Sequence, residues 1–258
     1  MERRTFVGAS VATLCSAATG LPADPKPGAR ELYELRTYTL KPAKLPLLDE
    51  YLGKAFVPAA KRLGVGPVGV FTEPPEKELA RVYLLVVHPD AESVVTLPGK
   101  LAADEAYMKA AATYLGAKAD EPVYQRIESS LLAAIAGLPR LEKPDTSKPR
   151  LLNLRVYESH NERAAAKKVE MFEKAELAIF RRVGLTPVFF ASAVVGPAMP
   201  NLTYMLAFPD EAGRKAAWDK FRADPEWLKL KAVPEYADKE IVSKITNKVL
   251  TPTAYSEI

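Results

Sequence analysis

The chain has 258 residues, with 36 basic against 32 acidic side chains and a formal charge of +4. That excess is too small and too dispersed to predict a nucleic-acid partner or a polybasic membrane contact. A composition of 48% hydrophobic and 26% charged residues is that of an ordinary globular protein, and no apolar run in the body reaches the roughly 18 residues of a membrane span.

The first 23 residues read as an export signal. Arg3-Arg4-Thr5-Phe6-Val7 is a twin arginine followed by an apolar residue, Val7 to Ala18 is a weakly apolar run, and Pro22 to Gly28 is a spacer. This order predicts a twin-arginine signal peptide cleaved after Ala18 or Ala23, with the export machinery as a partner and a periplasmic or secreted destination. Cys15, the single cysteine, lies inside that segment. Its removal leaves no thiol for a disulfide, a thiolate metal site or a cysteine nucleophile.

The body then reads strand, helix, strand, strand, helix, strand, twice. In the first copy the pattern predicts a strand at 32–40 and a helix at 45–63. Leu48, Tyr51, Leu52, Ala55, Phe56, Ala59 and Leu63 form one apolar stripe of that helix. Pro58 is expected to kink it and Gly64 to end it. Strands follow at 68–72 and 81–87, a helical region at 91–115 broken at Pro98-Gly99, and a last strand at 123–131. Residues 137–149 read as a linker. The second copy repeats the order: strand 151–158, helix 163–183 stopped by Gly184, strands 186–195 and 202–208, a helix capped by Asp210, a short helix opened by Asp224-Pro225-Glu226, and a strand at 241–250.

The copies are in register about 120 residues apart. Gly64 recurs as Gly184, Pro67 as Pro187, Pro89-Asp90 as Pro209-Asp210, and Ala103-Asp104 as Ala223-Asp224. The first strands match one residue out of step, Leu35-Arg36-Thr37-Tyr38 against Leu154-Arg155-Val156-Tyr157. Such a register means a duplicated domain. The division is 1–23 signal, 24–136 first repeat, 137–149 linker and 150–258 second repeat. A β-α-β-β-α-β unit is the ferredoxin-like split unit, with helices on one sheet face only. The bare faces of two such sheets can cover each other. The predicted fold is therefore α+β: two tandem ferredoxin-like repeats forming one intramolecular barrel, closed without a partner subunit, so that a monomer or a homodimer is expected.

Tyr33-Glu34-Leu35-Arg36-Thr37-Tyr38, Gly69-Val70-Phe71-Thr72-Glu73, Tyr204-Met205-Leu206, Trp218 with Phe221, and above all Asp224-Pro225-Glu226-Trp227 carry a resemblance to the NIPSNAP proteins, members of the dimeric α/β-barrel superfamily. It spans about Glu31 to Leu250. The first copy departs from it, with Asp104-Glu105-Ala106-Tyr107 where the second has the Pro and Trp. The resemblance implies the barrel but no agreed enzymatic activity. Superfamily relatives include haem-binding and cofactor-free monooxygenases, which gives an alternative to simple ligand binding.

Strand alternation predicts the candidate site. Tyr33, Leu35 and Thr37 oppose Glu34, Arg36 and Tyr38; Leu152, Leu154 and Val156 oppose Asn153, Arg155 and Tyr157. The apolar set is expected to pack on helices and the polar set to face the lumen. Arg36, Tyr38, Arg155, Tyr157 and Glu34 would then line a lumen pocket for an anionic or hydroxylated small molecule. The alternative has Arg36 paired with Glu34 or Glu128 as a brace. His88 matches Phe208 in the other copy and reads as a core or rim residue, and His160 as a loop residue before a helix. Either is the candidate haem ligand or proton-transfer residue; no cofactor other than haem is expected. Two separated histidines predict no metal site. Trp218, Phe221 and Trp227 read as helix-to-sheet core or as an aromatic ligand platform.

Overall fold

The computed structural model describes residues 30–74 and 76–258; the expected export signal, 1–23, lies outside them. The first half contains β1 (Leu32–Leu40), α1 (Leu45–Tyr51), a π-helical turn (Leu52–Phe56), α2 (Val57–Arg62), β2 (Val68–Thr72), β3 (Ala80–His88), α3 (Ala91–Ala103), α4 (Glu105–Ala110), α5 (Ala112–Leu115) and β4 (Arg126–Ala134). The second contains β5 (Leu151–Glu158), α6 (Glu162–Met171), a π-helical turn (Phe172–Glu176), α7 (Leu177–Val183), β6 (Thr186–Val195), β7 (Asn201–Phe208), α8 (Glu211–Ala223), α9 (Pro225–Lys231), α10 (Asp238–Ile241) and β8 (Lys244–Pro252).

The strands form one closed barrel in the order β1-β3-β2-β8-β5-β7-β6-β4, and each recorded pairing is antiparallel. Each half contributes a four-stranded sheet in the order of the split β-α-β unit, and the halves meet at two seams. At one, β4 pairs with β6 from Leu131↔Val195 to Ala134↔Ala191. At the other, β2 and β8 share only Phe71↔Pro252 and Thr72↔Thr251. Residues 253–257 lengthen this seam: Thr253 N–H donates to the Val70 carbonyl and Glu257 N–H to that of Val68.

Closure gives the chain an inside and two outsides. The lumen cluster holds Tyr33, Leu35, Phe71, Leu85, Leu154, Phe189, Met205 and Ile258. One helix-facing cluster packs Tyr38, Leu40, Val82 and Leu84 against Leu48, Leu52 and Phe56; the other packs Tyr157, Tyr204 and Leu206 against Phe172, Phe180, Trp218 and Phe221. Burial of such side chains contributes about 1.5–3 kcal/mol each.

The local expectations meet two corrections of detail. Pro98 does not break α3: it faces solvent, where water can take the carbonyl that loses its donor, and the helix stops instead at Asp104, whose carboxylate accepts the Tyr107 N–H at 2.9 Å. Both last strands begin later than expected, because Val123 and Ile241 are buried in helix-side clusters rather than in strands. Pro58 follows the first π turn, in which Val57 N–H reaches back to Leu52. Leu177 does the same to Phe172 without a proline, so the π turn belongs to the repeat rather than to Pro58. Gly184 ends α7 at φ +91°, a left-handed conformation that costs glycine little.

Candidate functional site

The first finding corrects the expected orientation. Glu34, Arg36 and Tyr38 do not face the lumen, and neither do Arg155 and Tyr157. They point outward, under the helices, while Tyr33, Leu35, Leu152 and Leu154 point in. A period of two separates the faces of a strand without saying which face is enclosed. Here these inward residues make one end of the lumen apolar, and on the helix side of the first half Glu34 neutralises Arg36. Tyr33 against Phe189, with ring centroids 5.0 Å apart, helps fill the lumen. What remains at the other end is a cup of about 320 Å³ lined by Thr37, Tyr83, Ser130, Thr203 and Thr246 among others. Its cations are paired: Arg81 and Lys248 each lie 3.1 Å from Glu73, and Lys244 lies 3.2 Å from Glu158. Glu128 lines this cup, not the surroundings of Arg36.

In the first half Arg36 is paired with Glu34, as the brace reading expected, but on the helix side rather than in the lumen. Its Nε and Nη2 donate to Glu34 at 2.6 and 2.8 Å, and the guanidinium lies 5.5 Å from the Phe56 ring centre. Burial pushes the Glu34 carboxyl up, but His88, Arg36 and Ser129 outweigh it and hold the group down at about 2. His88 is fully buried. Its Nδ1 lies 2.9 Å from the Ser93 hydroxyl, and its Nε2 lies 3.7 Å from Glu34. Tyr38 packs on Tyr124, and Tyr114 stacks on Tyr51 at 3.6 Å, so tyrosines fill the helix side here.

The second half is built differently at the same place. Asn153 stands where Glu34 stands, so no carboxylate accompanies Arg155. Its side-chain oxygen accepts from Trp218 Nε1 at 3.2 Å, and its nitrogen donates to Asn247 at 2.6 Å. The Arg155 guanidinium lies 4.6 Å from the Trp218 ring centre and 5.3 Å from that of Tyr157. Arg155 makes no ion pair among the described residues, and its Nε has no hydrogen-bond partner. Burial pushes its pKa down, while Tyr204 and Tyr157 more than offset this. Burial raises the Tyr204 phenol well above the usual range, so it supplies a dipole and no countercharge.

Arg155, Tyr157, Trp218, Phe221, Trp227 and Asn247 line a pocket of about 360 Å³ between the sheet and α8 and α9. Arg214, Lys215, Arg222, Ile245 and the exposed Asp238 complete it. Arg214 is held by Glu211 at 2.6 Å and Arg222 by Asp219. Asp224, expected to open a helix, caps α9 by accepting Glu226 N–H at 2.9 Å and Trp227 N–H at 3.0 Å, and so sets Trp227. Deeper lie three polar groups that strand alternation does not single out. Tyr204 donates to the Tyr157 hydroxyl at 2.9 Å. Lys168 and Glu176, each 2% exposed at the side chain, form an ion pair at 3.2 Å. Comparing the copies finds this pair in sequence, because the residues 120 positions earlier in the stripe are Leu48 and Phe56.

The histidines are not brought to this pocket. His160 is exposed beside Asn161, whose side chain caps α6 by accepting the Ala164 N–H at 2.9 Å. His88 belongs to the first half. A haem ligated through either residue does not fit the pocket.

Fold and site define a single-chain α/β barrel with a basic, aromatic pocket between sheet and helices in one of its halves. The NIPSNAP family profile matches residues 33–136 and 152–257, and the chain belongs to the NIPSNAP family. Among solved structures, a candidate monooxygenase of Fusobacterium nucleatum matches at TM-score 0.59 and 9% identity, over 87% of this chain and 93% of that one. A candidate monooxygenase of Lactobacillus acidophilus matches at TM-score 0.54 and 10% identity, over 86% and 94%. These likenesses show the dimeric α/β-barrel fold alone. An uncharacterized NIPSNAP-like domain protein of Burkholderia xenovorans matches at 20% identity and TM-score 0.38, over 42% of this chain and 88% of that one. No curated protein matches the chain.

Proposed function

We propose that the protein binds a small anionic molecule with a planar body, and that it does so in the helix-side pocket of its second half rather than in the lumen. The observation that carries this reading is the exchange of Glu34 for Asn153. The same guanidinium is neutralised in one half and left without a countercharge in the other. A buried cation normally acquires a partner. A carboxylate entering the pocket would supply one, with Arg155 as a bidentate donor and the rings of Trp218, Phe221 and Trp227 against the planar body. Because Arg214 and Arg222 are paired with Glu211 and Asp219, Arg155 is a cation that an entering anion meets without a competing carboxylate.

The test uses 2-naphthoate and its neutral analogue 2-naphthamide, with binding followed by calorimetry. The expected result is saturable binding of the acid, at least about tenfold weaker binding of the amide, and a similar loss in Arg155→Met, about 1.4 kcal/mol each. Equal binding of acid and amide, or unchanged binding in Arg155→Met, refutes the reading. An oxygenase reading rests on the names of structures that share only the fold, and no residue of the pocket singles it out.

The twin arginine supports the further proposal that the protein acts outside the cytoplasm. Replacing Arg3 and Arg4 by Lys is expected to hold it in the cytoplasmic fraction; unchanged fractionation refutes export by this route.

A further inference from the structure

The Lys168–Glu176 pair is costly where it stands. Both groups are out of water, the ammonium 4.7 Å from the Phe172 ring centre and 5.2 Å from that of Tyr157. Burial raises the Glu176 carboxyl above its ordinary range in spite of Lys168. Well-packed apolar side chains in place of such a pair are often as stable or more so. The duplication makes that comparison within one chain. The π turns Leu52–Phe56 and Phe172–Glu176 are equivalent, so Leu48 and Phe56 occupy the positions of Lys168 and Glu176, and both are fully buried. The repeat therefore accommodates an apolar pair, and the ionic one needs a reason other than the scaffold.

Its surroundings supply one. β1 pairs Arg36 with Leu84, whereas β5 pairs Arg155 with Tyr204. Three apolar positions of the first half, Leu48, Phe56 and Leu84, are thus polar in the second, as Lys168, Glu176 and Tyr204. Two of these three touch Tyr157 and the third holds one of them. Lys168 sits against its ring, Glu176 binds Lys168, and Tyr204 donates to its hydroxyl. With Tyr204 as donor, the Tyr157 oxygen is an acceptor in that bond. Its own hydrogen goes to no described residue, and Tyr157 lines the pocket.

We infer that Lys168, Glu176 and Tyr204 are positioning residues, which fix the ring of Tyr157 and turn its hydroxyl hydrogen toward the pocket beside Arg155. The pocket then presents an O–H donor and a guanidinium together, a pair matched to the two oxygens of a single carboxylate. This rests on the ligand site proposed above and narrows its ligand to a planar monocarboxylate.

The test transplants the first half's residues into the second. In Lys168→Leu/Glu176→Phe the melting temperature is expected to stay level or rise, while 2-naphthoate binding weakens about tenfold. Tyr157→Phe should lose a similar factor, and the triple variant no more than either, because contacts that act through one group do not add. Wild-type affinity in the transplant, or losses that multiply in the triple variant, overturns the positioning role. Should the transplant not fold, Tyr204→Phe removes only a hydroxyl. It is expected to weaken binding several-fold in the wild type and not at all in Tyr157→Phe, and equal losses in both backgrounds overturn the role. Weakened binding in Arg155→Met together with a neutral transplant would sink this inference alone. Unchanged binding in Arg155→Met would sink the site itself.

Discussion

Beside the two equivalent arginines, one exchange decides the charge. Glu34 and Asn153 differ by a charge, and the two arginines differ with them: Arg36 is clamped, and Arg155 rests on Trp218 with its Nε unpartnered. The clamp has a pH signature. Because the Glu34 carboxyl is held at about 2, its contribution is fully present above the ordinary carboxylate range and is lost as pH falls from about 4.5 toward 2. Glu34→Gln is expected to cost roughly 2–3 kcal/mol at neutral pH. The gap from wild type should close over that acid interval in urea titrations; a gap independent of pH contradicts the assignment. The equivalence of the two arginines and of Tyr38 with Tyr157 was legible in the repeat. Their facing was not, because alternation cannot distinguish an enclosed face packed with Leu, Phe and Met from a helix-covered one. The exchange of Leu48 and Phe56 for Lys168 and Glu176 lay in the register and needed only a comparison between copies.

Caps and turns place the pocket walls at the next scale up. α9 starts at Asp224, which accepts two backbone N–H groups and receives Arg182 at 2.8 Å. Asp224→Ala should destabilise the protein by about 1–2 kcal/mol and loosen Trp227, read as a red shift of tryptophan emission with unchanged far-ultraviolet dichroism. An unshifted spectrum would show that α9 is held without its cap. Asp-Pro-Glu announced this element because each of the three has a local job at a helix start. The last strands were less legible: Val123 and Ile241 are apolar enough for strands, but tertiary packing drew them under helices, and β4 and β8 begin at Arg126 and Lys244.

As a whole, the molecule is one barrel with two seams, and neither sheet has a lumen face it can expose alone. The β2–β8 seam is short and relies on residues 253–258, with Ser256 Oγ accepting Val70 N–H at 3.1 Å and Arg150 reaching the Ile258 oxygen at 2.6 Å. The two tryptophans, Trp218 and Trp227, both lie in the second half. Fluorescence therefore reports that half, while dichroism reports both. Coincident urea transitions by the two probes are expected of a single cooperative unit; a separate fluorescence transition would mean halves that stand alone. The duplicated order made this architecture readable in advance, since two one-sided sheets in one chain have few other ways to cover themselves.

The most direct test of the account is a crystal structure of the protein with 2-naphthoate. Density for the carboxylate at Arg155 and the Tyr157 hydroxyl, with the rings beside Trp218, is the predicted result. Density in the lumen cup, or against Arg36, would contradict it.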